Sequence, residues 1–555
     1  MSFLTKIFKN WKYLALGALM LLGFSIRSYN LDFPSIGYHN MKENEYLSIA
    51  QEMQRTKDYV TRRIYFYNGF EDNPTERYYP QPPLISYQTL LSWHFLGDNL
   101  WGPRLINVLF GVAGILVIFF LAELLFSSTA LALFCSGLLA VMPLAVFFSR
   151  NLQPESPGFF FMLLGNLFYL RFCLSLKKYN LLLGGAAFVL AWAYKFSFLI
   201  GIFPFIFCLP IRKVFADKRN LLKSLLIILV SYLPIALAIF WLKRHGQWEF
   251  DPQNTSERVR LLAIFTSDYW AKYGKMIWWY VQGENFTPVF TWLGFAGIAV
   301  ALVKRKGLLN RYILGWVLSV VVYFMIFSDF VNQHNYYQMP FLVLACLAVC
   351  QATRVLSLLF SKVLKKGALI WLMAVILIFA YPGVRDSLTR MFQTVFYGVD
   401  MAGESLKEFI KPGERAFLCS YPQGQGIARY ARRYVGWTDN LEDFKKQENK
   451  FVIRYVCFYP AELSLLLRNN NPALFNYIRD NYHLKEAGIS DEPKRVFYVI
   501  LEKGAGSKPE GFLESFSGNL QPRTIYKVLN GYFFLYSLRP PVEQPQALPE
   551  PAVKP

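Results

Sequence analysis

The chain has 555 residues, of which 54% are hydrophobic and only 17% charged, a balance that excludes an ordinary soluble protein. A net charge of +21 would suit a nucleic-acid partner. The basic residues instead fall in short clusters between apolar runs, so membrane lipids are expected as partners and nucleic acid is not. The 51 Phe and 34 Tyr agree, since aromatic rings favour lipid contact and the membrane interface. None of the seven Cys belongs to the paired spacings of a zinc site. Five of them (Cys135, Cys173, Cys208, Cys346 and Cys350) lie in apolar segments. Cys419 and Cys457 fall in the polar C-terminal part, where an oxidising compartment would let them pair.

A spanning helix needs about 20 apolar residues to cross a hydrocarbon core about 30 Å thick. The segments 11–28, 103–126, 129–148, 158–176, 179–196, 198–211, 221–241, 288–303, 309–328, 338–355 and 367–382 are candidates. They predict a polytopic α-helical membrane protein of about eleven spans, and up to thirteen if short pieces count. The segment 198–211 can be re-entrant or tilted, and 83–97 is apolar but short. The first span reads as an anchor, because no small-residue cleavage site follows it. With a cytoplasmic N-terminus, the inside segments hold Lys6, Lys9 and Lys12, then Lys177 and Lys178, then Arg212 to Lys223, Lys304 to Arg311, and Arg354 to Lys366. That is the positive-inside pattern. It places 29–82, 242–287 and 383–555 outside, as expected for chemistry or recognition at the outer surface, and an outer bacterial surface suits it best. The triplets at Asn254 and Asn285 match glycosylation acceptors.

In the first outer loop, Tyr46, Ile49, Ala50 and Met53 recur at helical spacing from Met41 to about Lys57. This predicts an amphipathic helix lying along the interface. Glu43 falls on its apolar side, where desolvation would suit it to act as a general base; it can equally be a solvated glutamate. The run Tyr78-Tyr79-Pro80-Gln81-Pro82-Pro83 stiffens the re-entry into the membrane. The short loop 149–157 carries Arg150 and Glu155, which can be membrane-edge anchors. Lys195 lies near the end of a span with apolar residues on both sides. Such cations usually face a cavity or an anionic partner such as a lipid phosphate, and snorkelling is the alternative. Residues 328–340 place His334, Tyr336, Tyr337 and Gln338 at a span end. An aromatic belt accounts for the tyrosines, less well for His334 and Gln338.

From about 383 the composition changes. AFLCSY, KFVIRYVCFY, RVFYVILEK and GYFFLYSL read as strands and PALFNYIRDNYHLKEAG as a helix. The expected organisation is therefore a membrane domain over 1–382, with 29–82 as its first outer loop, and a C-terminal extracytoplasmic α/β domain over 383–538. A Pro-rich tail over 539–555 is expected to be unstructured.

Taken in order, KENEYLSIAQEM, QPPLISY, GPRLINVLFG, RNLQPES, YKFS and HNYYQMP resemble the motifs of the GT-C membrane glycosyltransferases. The likeness is to the group of protein O-mannosyltransferases and lipid A aminoarabinose transferases, and it covers about residues 10–382. Where that group commonly has Asp-Glu, this chain has Lys42-Glu43, so Glu43 or Glu45 stands in. Gln81 replaces a frequent Lys, and Glu155 a usual Asp.

The resemblance implies a GT-C-like fold and transfer, with inversion, of a sugar from a polyprenyl-phosphate donor to a lipid, glycan or protein acceptor. Glu43, Glu45 and Glu155 are then the catalytic candidates. Lys195, Arg104 and Arg150 are candidates for the donor phosphate. His39, His334, Tyr336, Tyr337 and Gln338 are candidates for substrate binding. A divalent cation, Mg or Mn, could sit on Glu155 with His39 or His334. No Gly-rich phosphate loop points to a sugar nucleotide. Two other functions also use many spans: a transporter or flippase of a lipid-linked sugar, and a non-catalytic binding protein of the same fold.

Overall fold

The computed structural model describes residues 3–68, 75–216, 218–248, 260–364, 367–420, 423–490, 495–506 and 522–539. The chain forms two compact units. The first comprises Met1–Asp32, Tyr59–Arg62 and Tyr78–Phe392, and the second Phe33–Asp58, Arg63–Arg77 and Gln393–Pro555.

The first unit is helical. Among the described residues, seven helices are long and apolar enough to cross a membrane, or eight if the bent pair Thr129–Val141 and Pro143–Arg150 is one span. This is fewer than the eleven expected, for local reasons. Phe3–Arg27 begins with Lys6, Lys9 and Lys12, and Lys178–Tyr194 has only 17 residues. The expected span 198–211 breaks into a 3₁₀ turn, Phe196–Ile202, and a short helix, Pro204–Cys208. Leu84–Leu96 has 13 residues, about 20 Å at 1.5 Å per residue, and is too short to span. Helix Lys218–Arg244 turns Leu222, Leu225, Leu229, Leu237 and Phe240 outward, an apolar surface suited to lipid.

The 55° bend at Met142 follows from Pro143, which has no N–H to give the carbonyl of Leu139. Arg27 supplies the missing donors. Its guanidinium is fully buried and donates to Leu139 O at 2.9 Å and Ala140 O at 2.7 Å. Close helix packing rests on small residues. A Cβ at Gly297 would stand 1.9 Å from the carbonyl oxygen of Ala348, so only glycine lets those two helices touch.

The second unit holds one eight-stranded mixed sheet in the order β1-β3-β2-β4-β6-β5-β8-β7. The strands are β1 Phe66–Asn68, β2 Ala416–Cys419, β3 Val435–Trp437, β4 Tyr455–Phe458, β5 Tyr482–Ser490, β6 Arg495–Lys503, β7 Thr524–Val528 and β8 Gly531–Leu538. β1, β3, β2 and β4 run parallel, and the remaining pairings are antiparallel. Alternation along the strands makes two cores. Leu418, Cys457 and Ile500 pack on one face with Ile36, Val399 and Ile427. Phe417, Val456 and Leu501 pack on the other with Phe444, Leu474 and Ile478.

Three expectations are corrected here. Residues 33–58 and 63–77 of the first outer loop group with the second unit and not with the membrane domain, because Phe66–Asn68 pairs in parallel with β3 and Ile36 joins the second unit's core. Asn40–Thr56 does not present a solvated polar face. Its polar residues Glu45, Gln51 and Glu52 are as buried as Leu47 and Ile49, and Arg55 and Tyr434 bind Glu52 at 2.8 and 2.6 Å. Finally, the helix read over 472–488 ends at Asn481, and Tyr482–Ser490 is a strand paired on both sides, where sheet pairing overrides local propensity. The tail over 540–555 lies outside the described residues.

All seven cysteines are free and buried. Cys419 and Cys457 sit on adjacent strands one register position apart, so their side chains point to opposite faces of the sheet.

Asp400 opens helix Val399–Phe409 and accepts a 2.7 Å hydrogen bond from the Tyr526 hydroxyl. Burial pushes its carboxyl up to about 6, against the smaller opposing pull of that hydrogen bond. The folded state thus holds this proton more tightly than the unfolded chain. Stability from this group is present below the unfolded value of 3.8 and lost as pH rises through about 6, up to about 3 kcal/mol in all. Asp400→Asn keeps an acceptor for Tyr526 and should raise the thermal midpoint at pH 8 by several degrees while leaving it unchanged near pH 4.

Candidate active site

In the first unit the chemistry gathers where a helix stops. Lys178–Tyr194 ends at Lys195, whose backbone is extended, with φ −157° and ψ 117°, before the chain turns into Phe196–Ile202. Glu155 is the first residue of Glu155–Ser175, where the helix's positive end favours a carboxylate. The Lys195 ammonium donates to Glu155 Oε1 at 2.6 Å. The lysine side chain keeps 12% exposure and the glutamate 2%. Glu155 Oε2 is buried without a hydrogen-bond partner.

Tyr336 and Tyr337 face the same ammonium, with ring centroids 4.6 and 4.5 Å away, a distance at which a cation is attracted to a π face. His334 stacks on Tyr336 at 5.0 Å, and Phe148 meets its other side edge-on at 5.5 Å. Gln338 is turned elsewhere. It accepts from Asn285 Nδ2 at 2.9 Å, and the same amide donates to Asn335 O at 3.1 Å. Asn285 is fully buried, so it is no glycosylation acceptor in the folded chain; Asn254 lies outside the described residues.

Arg104 and Arg150 bond to backbone carbonyls. Both are buried and hold the backbone after the first helix. Arg104 donates to Leu31 O at 2.8 Å, and Arg150 to Tyr29 O and Asn30 O at 2.7 and 2.5 Å. Sequence reasoning missed Asn107 and Gln88. Asn107 donates to Asn151 O and Gln153 O at 2.6 and 2.8 Å and accepts from Gln88 at 2.8 Å. Tyr194, next to Lys195, donates to Gln88 at 3.2 Å. This chain of amides fixes the loop that delivers Glu155. The available signal was the amide residues themselves, placed inside otherwise apolar helices.

In the second unit, helix Asn40–Thr56 carries Glu43 and Glu45, and His39 caps it in the left-handed region at φ 57°. Glu43 is buried and accepts a 2.6 Å hydrogen bond from Ser35 Oγ. Glu45 is also buried, but it is charge-paired. Lys42 lies 3.3 Å from both of its oxygens and Arg77 lies 3.8 Å away.

Residues 80–241 match the family model described as dolichyl-phosphate-mannose-protein mannosyltransferase, a stretch that includes QPPLISY, GPRLINVLFG, RNLQPES and YKFS. No curated protein sequence matches the chain. Among solved structures, the oligosaccharyltransferase AglB from the archaeon Archaeoglobus fulgidus, in complex with an inhibitory peptide and a dolichol-phosphate, aligns with a TM-score of 0.55 at 13% identity. That alignment covers 89% of this chain and 74% of AglB. ArnT from Cupriavidus metallidurans in the apo state aligns with a TM-score of 0.55 at 16% identity, over 89% of this chain and 98% of ArnT. ArnT bound to undecaprenyl phosphate aligns with a TM-score of 0.50 at 16% identity, over 90% and 99%.

This chain has the GT-C fold. The membrane-integral architecture expected from the ordered motifs therefore holds, and at such low identity the solved structures speak for architecture alone.

Among the described residues, no three His, Cys, Asp or Glu side chains converge, and Glu155 gives one oxygen to Lys195.

The Lys195–Glu155 pair is mostly buried, so losing one partner should cost more than losing both. Glu155→Gln and Lys195→Met should each lower the thermal midpoint in detergent by several degrees. In a double-mutant cycle the two should couple by about 2–3 kcal/mol.

Proposed function

We propose that this chain is a glycosyltransferase that moves a sugar from a polyprenyl-phosphate donor to an acceptor at the outer face of a membrane, with inversion at the anomeric carbon. The observation that carries this reading is Lys195, an ammonium fixed at a helix end by Glu155 and two tyrosine rings. An ammonium has three N–H donors, and Glu155 takes one. The other two suit the oxygens of a lipid-linked phosphate, whose negative charge grows as the sugar leaves. AglB and ArnT were solved with dolichol-phosphate and undecaprenyl phosphate, which supports a donor of that class.

In this reading Glu43 is the general base. It removes the acceptor's proton, the freed electron pair attacks the anomeric carbon, and the bond from that carbon to the phosphate oxygen breaks, leaving polyprenyl phosphate. Lys42 and Arg77 hold Glu45 in ion pairs, which weakens Glu45 as a base. Glu155 positions Lys195. Arg104 and Arg150 support the chain after the first helix rather than the phosphate. His334, Tyr336 and Tyr337 offer an aromatic face to the substrate. The distribution of Lys and Arg favours a cytoplasmic N-terminus and an extracytoplasmic second unit in a bacterial inner membrane.

The test is turnover of radiolabelled polyprenyl-phosphate hexose by the purified chain. Wild type should release sugar to an acceptor. Glu43→Gln should lower turnover by about 100-fold or more while still binding the donor, and Lys195→Ala should lower both binding and turnover. A wild type that binds the donor and never consumes it, whatever acceptor is offered, would contradict the enzyme reading and favour a transporter or binding protein.

A further inference from the structure

Outside the Lys195 cluster, the first unit has an open pocket of about 730 Å³, within the usual size of ligand sites. Its walls combine the apolar stretch 261–263 with Arg260, Asp268, Lys272, Tyr273, Tyr269 and, from the segment just before His334, Asp329. The helix Ser267–Trp279 supplies most of them and is fixed in place. Thr266 caps it by accepting from Tyr269 N at 3.4 Å, and the Tyr269 hydroxyl donates to Ser328 O at 2.8 Å. That second bond ties the helix to the backbone beside Asp329.

From this pocket we infer a binding site for a neutral, hydroxyl-rich ring: a sugar unit of the acceptor. Two carboxylates and two cations line it, so its formal charge cancels and it does not select an anion over a neutral ligand. Neither Asp268 nor Asp329 forms an ion pair among the described residues, and each leaves oxygens to accept from vicinal hydroxyls. Lys272 lies over the Tyr273 ring at 4.9 Å, holding an N–H donor beside a flat aromatic surface. Carboxylate acceptors, a cationic donor and an aromatic face together match a pyranose, with its hydroxyl edge and apolar C–H face.

The inference rests on the glycosyltransferase reading only for the word acceptor; the pocket's preference for sugar does not depend on turnover. Asp268 and Lys272 are exposed, so their substitution should leave the fold intact, and an unchanged thermal midpoint checks this.

The experiment titrates the full-length protein in detergent with methyl glycosides of common hexoses and N-acetylhexosamines, read by saturation-transfer NMR. Inorganic phosphate serves as the anionic probe. At least one glycoside should bind at millimolar concentration. Asp268→Asn combined with Asp329→Asn should weaken it tenfold or more, with donor binding unaltered. Binding of no glycoside, or binding indifferent to the double variant, would overturn the inference. So would phosphate binding that Lys272→Ala abolishes while glycosides fail to compete. Glycoside binding by a protein that never turns over donor would retain the sugar site and sink the enzyme reading instead.

Discussion

A charged lysine at the end of an apolar helix is costly without a partner, and here the partner is part of the fold. The Lys195 ammonium reaches Glu155 at 2.6 Å, and the glutamate is delivered by a loop that Asn107 pins at two carbonyls. Two tyrosines close over the cation. Each of these groups would be costly at this depth alone; together they satisfy one another and leave the lysine partly open. The geometry that makes the charge tolerable is the same geometry that, in the proposed function, presents it to a phosphate.

The same economy recurs where helices break. Pro143 denies Leu139 its helical donor, and the buried guanidinium of Arg27 fills the gap. Arg104 and Arg150 do comparable duty for the carbonyls of residues 29–31. In an apolar interior an unsatisfied carbonyl costs several kcal/mol, so arginines whose sequence context suggests a ligand can also serve the backbone.

Much of the architecture was legible. Length and apolarity marked most of the long helices, and short apolar runs marked β2, β4, β6 and β8. Motif order pointed to the GT-C fold, as the alignments with AglB and ArnT bear out. Hydropathy could not reveal that residues 33–58 and 63–77 belong with the second unit, because strand pairing between Phe66–Asn68 and β3 joins segments more than 350 residues apart. Nor could a helical wheel reveal that Asn40–Thr56 is buried on its polar side, since its partners Gln423 and Tyr434 come from the far end of the chain. Within the site, Lys195, Glu155, His334, Tyr336 and Tyr337 come together as a set, whereas Asn107 and Gln88 passed unnoticed as ordinary span residues.

The central claim is that Lys195 is the phosphate contact. The most direct measurement is phosphorus NMR of polyprenyl phosphate, without sugar, titrated into wild type and into Lys195→Met, with Lys272→Met as a charge-matched control. Wild type and Lys272→Met should broaden and shift the phosphate resonance alike, and Lys195→Met should weaken the interaction at least tenfold. Equal binding by all three proteins would contradict the account and move the phosphate elsewhere.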